Sequence, residues 1–232
     1  MLGYRSAARE GVTPVTEAEW MACTDPDVML DFLFGKGNSR KLWLFGVACC
    51  RRIWHLLEDR RGREAVEVVE RWADGLASEA EMVAAYKDAD DAADCSHGGP
   101  ALAAYDLVAA ANVFDAVTVV SRRAAGVTAD AADSDSAAAV ENVGQVSLLH
   151  DIFGSLPFHP VTIDPSWLGW NGGTIPKLAE AIYDDRRFSD LPILADALEE
   201  AGCTDADILS HCRSGGEHVR GCWVIDLLLG KE

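Results

Sequence analysis

Long apolar runs, basic side chains and the punctuation of β-structure are all scarce in this chain of 232 residues. The longest uninterrupted apolar run, Leu42 to Cys50, is far shorter than the ~20 residues that a membrane-spanning helix requires. A membrane partner is therefore not expected. Arg5 and Arg9 lie in residues 1–15 without an apolar stretch after them, so this segment reads as a mobile extension and not as an export signal. Lys and Arg total 20 against 38 Asp and Glu, a net charge of −18, and such a balance repels a phosphate backbone. Nucleic acid is excluded as the expected partner. No pair of alternating runs is joined by hairpin residues, and no segment repeats at a fixed period. The seven cysteines are odd in number and include the neighbours Cys49 and Cys50. That usage suits free thiols in a reducing cytoplasm, the expected location.

What is present is helical patterning. Thr16 with Glu19 and Ser78 with Glu81 have the spacing of capping boxes, and Asp25-Pro26 pairs a helix cap with a proline suited to the first turn. Leu42, Phe45, Cys49, Ile53 and Leu56 recur every three or four residues, which predicts a buried central helix. Residues 92–140 are Ala-rich, and in that context the cluster Val117 to Val120 reads as helix. Residues 126–137 read as a mobile loop, with a helix from about Ala137 to Phe153. Pro157, Pro160 and Pro165 then interrupt the pattern. Four further helices follow, including one capped by Thr204 with Asp207 and one over Val219 to Leu229. The expected fold is all-α: a body over 16–153, a Pro-rich connection over 154–171 and a smaller C-terminal helical unit over 172–232.

The strings Thr16-Glu17-Ala18-Glu19-Trp20, Ala48 to Trp54 (ACCRRIW), Trp167 to Thr174 (WLGWNGGT) and His218 to Trp223 (HVRGCW) together resemble a family of uncharacterised proteins abundant in planctomycete genomes. The likeness spans roughly residues 16–232 and implies a lineage and a start near Thr16, without a mechanism.

Candidate chemistry centres on Cys203, Cys212, His218 and Cys222, four zinc-type ligands within twenty residues. Their spacing matches a CCCH finger with the last two ligand types exchanged; His218 and Cys222 would share a helix face, and His211 is a spare ligand. The competing reading makes these cysteines small buried hydrophobes and His218 a capping residue. The expected cofactor is accordingly none, or one structural zinc.

A second cluster, Asp88, Asp90, Asp91, Asp94, Cys95 and His97, contains half of a di-metal pattern, or else a solvated acidic face. Asp130, Asp133 and Asp135 fail the calcium-loop template. Asn171 to Thr174 offers backbone donors to an anion or simply caps a helix. Cys49, Cys50, Ser147 and Cys212, with His55, His150 or His211, lack the context of a nucleophile. Arg51, Arg52, Arg60, Arg61 and Arg63 form either a patch for an acidic partner or phosphate, or internal ion pairs. These features favour a non-catalytic acidic helical module that binds a basic protein partner. The alternatives are a metal-assisted hydrolase using the Cys/His cluster, and an immunity or antitoxin protein masking a basic partner.

Overall fold

A computed structural model describes residues 15–96, 99–110 and 112–231; all but Val15 of the expected N-terminal extension lies outside them. Among the described residues every regular element is helical, which establishes the all-α class. The body contains α1 (Glu17–Met21), α2 (Pro26–Leu33), α3 (Ser39–Arg52), α4 (Arg60–Ala73), α5 (Glu79–Ser96), α6 (Gly99–Ala109), α7 (Val113–Ala132) and α8 (Asp135–Phe153). The C-terminal part contains α9 (Pro165–Gly169), α10 (Thr174–Asp185), α11 (Leu191–Glu200), α12 (Ala206–Arg213) and α13 (Trp223–Leu229).

Helix α3 is central because its apolar stripe covers most of its circumference: Leu42, Leu44, Phe45, Val47, Cys49 and Cys50 are all buried, packed among α4, α7 and α8. Asn38 caps it, accepting from the amides of Arg40 and Lys41. The helix stops at Arg52, and Trp54–Leu56 form a separate 3-10 turn. Trp43 and Trp54 are only half-buried, whereas Phe45, Cys49 and Ile53 are fully buried. Both expected capping boxes form, at Thr16 with Glu19 and at Ser78 with Glu81.

Two local expectations are corrected. The loop expected over 126–137 is largely helix: α7 continues to Ala132, and the turn into α8 is made at Asp133 (φ 48°) and Ser134, whose hydroxyl caps α8. Alanine propensity there outweighs the polar side chains. The cap of α12 is Asp205, one residue beyond Thr204, since a carboxylate accepts from two amides at once. The stretch after Phe153 is a packed strap. Phe158 stacks on Phe32 of the body (5.1 Å between centroids), while Leu156, Val161, Ile163 and Trp167 pack on the C-terminal core.

Two large apolar cores result, one within the body and one built from α10 to α13 with the strap. They meet around Gly154. Its carbonyl accepts from the buried Trp20 indole at 3.1 Å, and a Cβ there would lie 2.7 Å from the Trp223 ring. Only glycine permits both this approach and the positive φ of 50°. The buried polar residues Lys41, Asp151 and Asp226 lie along this seam.

Candidate metal centre

Helix α8 ends on the seam, and its last turn carries Asp151, a carboxylate whose side chain is only 3% exposed. A buried carboxylate requires donors, and the C-terminal unit supplies them. His211 projects from α12, and the segment from Ser214 to Cys222 returns His218 and Cys222 to the same point. The tightness of that return comes from a turn in which the Cys222 amide donates to the Val219 carbonyl (3.0 Å). Gly221 makes the turn at φ 97°, a conformation that residues with a side chain rarely adopt.

The four side chains converge. His218 Nδ1 donates to Asp151 Oδ1 at 2.6 Å, His211 Nε2 lies 3.1 Å from the same oxygen, and it lies 3.2 Å from Cys222 Sγ. One ligand atom from each of Asp151, His211, His218 and Cys222 falls within 4.8 Å of all the others. Tetrahedral bonds of ~2.0–2.3 Å place ligands ~3.3–3.7 Å apart, so shifts of a few tenths of an ångström to about an ångström turn this hydrogen-bonded group into a coordination shell.

The surroundings fit a metal as well. Asp151 Oδ2 accepts from the Val219 amide (2.9 Å), which orients the carboxylate and leaves Oδ1 to the group. His218 Nε2 faces the Ser214 carbonyl (3.4 Å) and hydroxyl (3.2 Å), the outer partner that a ligating imidazole ordinarily has. Burial pushes the Cys222 thiol well above its usual range, and the Asp151 charge pushes it further; the amides of Ile225 and Val224 offset this only in part. The sulfur therefore stays protonated unless a cation joins it. Burial lowers the pKa of His218, but the hydrogen bond and charge of Asp151 outweigh burial and raise it. Burial raises that of Asp151, and the two histidines outweigh it in the opposite sense.

The same distances argue against a cysteine nucleophile. A relay needs one imidazole nitrogen toward sulfur and the other toward the carboxylate, yet His211 Nε2 faces both. Cys49 and Cys50 are fully buried, the latter pushed up to about 12 chiefly by burial. The Ser147 hydroxyl donates to the Val143 carbonyl, and His55 is exposed.

Of the four ligands expected from spacing, the structure brings together His218 and Cys222 and adds the spare His211. They meet through the turn at Gly221, since 214–222 is not helical. Cys203 and Cys212 lie outside the group, which corrects the expected ligand set. Cys203 closes α11, its amide donating to the Leu198 carbonyl. Cys212 follows His211 on α12, so the helical rotation that turns His211 to the seam turns Cys212 into the apolar core. Asp151 is sixty residues upstream of His211, and no spacing rule connects them.

The remaining candidates are dispersed. Asp88, Asp91 and Asp94 are exposed on α5 and Asp90 is half-buried; His97 lies outside the described residues, and no metal-holding group forms among the described residues there. Gly173 caps α10, while the Thr174 hydroxyl donates to the Asn171 carbonyl. Arg52 pairs with Glu141 and Glu217, Arg60 with Glu64 and Arg61 with Asp59. A cavity of about 460 Å³ lies elsewhere on the seam beside Lys41 and Asp226. Its ammonium is already bonded to the Ile152 and Gly221 carbonyls and lies 3.3 Å from Asp226. No described helix is long and apolar enough to cross a membrane. Compared with protein-family models, curated proteins and solved structures, the chain shows no match.

Proposed function

We propose that this protein is a non-catalytic helical binding module whose two units are clamped together by one zinc ion held by Asp151, His211, His218 and Cys222. The observation that carries the reading is the convergence of these four groups across the seam, one from the body and three from the C-terminal unit. One thiolate, two imidazoles and one carboxylate are a donor set suited to zinc. Four protein ligands close a tetrahedral shell and leave no position for substrate or water, as in structural sites. The side chains are 14% exposed or less at Asp151, His211 and His218, which speaks against a hydrolase that must admit water.

In this reading zinc binding is coupled to folding of the C-terminal unit onto α8, and the clamped protein presents an acidic surface to a basic protein partner. The charge supports that partner class: residues 76–160 carry 3 basic and 13 acidic side chains, and residues 161–232 carry 6 and 13. Cytoplasmic placement accords with seven cysteines that form no disulfide.

The test is metal analysis of protein purified without chelator or histidine tag. One zinc per chain, lost on Asp151→Asn and on Cys222→Ser but retained on Cys203→Ser, is the expected result. Absence of bound metal, together with no change in melting temperature on adding equimolar zinc to the chelated protein, would overturn the clamp.

A further inference from the structure

A second cluster on the same seam has the opposite electrostatic character. Arg51 at the end of α3, Arg186 just after α10 and Arg220 in the turn before α13 all reach one oxygen, Glu70 Oε2. Arg51 Nη2 stands at 3.0 Å and Arg220 Nη1 at 3.4 Å, with Arg186 Nη2 also in contact. The Glu70 side chain is 4% exposed and the three arginines are 19–37% exposed. No other carboxylate among the described residues is within ion-pair distance of any of the three. Three guanidinium charges against one carboxylate leave a local excess of +2 in a chain of net −18.

That excess needs an explanation, because clustered like charges repel and this protein has carboxylates in surplus. Elsewhere on the seam the surplus is used: Arg52 has two carboxylate partners, as does Arg40. Beside the three arginines the structure instead leaves a cavity of about 220 Å³, lined also by His218 and Phe188. Arg51 adds a buried Nε–H that has no hydrogen-bond acceptor. Convergent guanidinium forks with donors to spare, beside a hollow otherwise walled by Leu44, Val47, Ala48, Phe188 and Val219, match the oxygens of a phosphoryl group with an apolar attachment.

We infer that this cavity is a binding site for a phosphate-sized dianion, either inorganic phosphate or the phosphoryl end of a small monoester whose carbon part rests on Phe188. Glu70 gathers the three arginines and shares them with the ligand. The site stands on its own residues and does not require zinc; only His218 and Val219 border both.

The experiment titrates the full chain with inorganic phosphate and, separately, phenyl phosphate, by calorimetry and thermal shift, against sodium chloride at matched ionic strength. Saturable binding and a rise in melting temperature beyond the chloride control are expected. Arg186→Gln should weaken binding about tenfold or more, since each charged hydrogen bond lost from such a site costs at least that factor, while leaving the fold intact. Glu70→Gln removes the competing carboxylate, so it should bind phosphate more tightly and gain more melting temperature from it than the parent does. A purely structural Glu70 predicts no such gain. Tighter binding of phenyl phosphate assigns the site to esters, and equal or weaker binding assigns it to the free anion. Phosphate acting no differently from chloride, or binding untouched by both variants, would overturn the site.

Discussion

Two buried polar clusters join the same pair of helical units, yet they are balanced differently. Around Arg40, the guanidinium holds Asp226 at 2.7 Å and Asp74 at 2.9 Å, and Lys41 lies 3.3 Å from Asp226. Tyr183 donates to Asp74 at 2.6 Å, and burial, with the negative charge of Asp74, raises its pKa well above the usual range. Both carboxylates there are met by cations, with Lys231 also 3.8 Å from Asp74, so the cluster is complete from protein atoms alone. Around Asp151 there is one carboxylate, and its partners are two imidazoles and a thiol, none of which carries a permanent positive charge. Balance there depends on a proton or a metal. The first cluster fixes how the units dock under all ordinary conditions, whereas the second makes the docking conditional.

The largest effect should come from breaking the balanced cluster. Asp226→Asn strands Arg40 and Lys41 with one carboxylate fewer, and loss of a buried partner of this kind costs about 3–5 kcal/mol, read as a lower denaturation midpoint at unchanged zinc content. If zinc were lost as well, the two clusters would not be independent.

Chelation should come next. With free zinc ~100–1,000-fold above its dissociation constant, removing the ion lowers stability by about 3–4 kcal/mol, and Cys222→Ser should show the lower value with or without chelator. Equal melting of chelated and zinc-loaded protein would erase the difference between the clusters.

The pH response separates proton from metal. In metal-free protein the His218 pKa is raised above 6.5, so its contribution is present below that value and lost as pH rises through the higher folded value. Asp151 is depressed below 3.8, so its contribution holds above that value and fades as pH falls through the lower folded one. Metal-free stability should therefore decline on going alkaline past the His218 transition, while zinc affinity rises over the same interval because the ion displaces protons. Stability and affinity moving in the same direction would count against shared residues.

The smallest effect lies away from the seam. Asn112 caps α7 by accepting from the Asp115 amide at 2.9 Å, and Asn112→Ala should cost about 1 kcal/mol without altering zinc binding. A change in zinc content would show that the body and the seam are coupled more widely.

How far the sequence could be read follows from the range of the interactions involved. Caps at Thr16, Asp25 and Ser78, the buried stripe of α3 and the helical state of Val117 to Val120 depend on residues a few positions apart, and periodicity reports those directly. Half of the metal group, His218 and Cys222, was visible because both lie in one short loop. Cys203 and Cys212 misled because spacing counts ligand types and does not register which side of a helix each occupies. Asp151 and the union of Arg51 with Arg186 and Arg220 left no local signal; an isolated Asp late in an apolar helix was the only trace of the former.

The sequence by itself determined an all-helical chain, a strongly acidic surface and a break after Phe153, because helix propensity, net charge and proline chemistry act locally or additively. Only the tertiary structure decided that the segment after the break is a packed strap and that the two units meet over three charged clusters: one balanced, one short of a cation and one short of an anion. The reason is physical: burial makes an unmatched charge costly, and which charges are buried together is set by how the helices dock, a property no stretch of the chain carries alone.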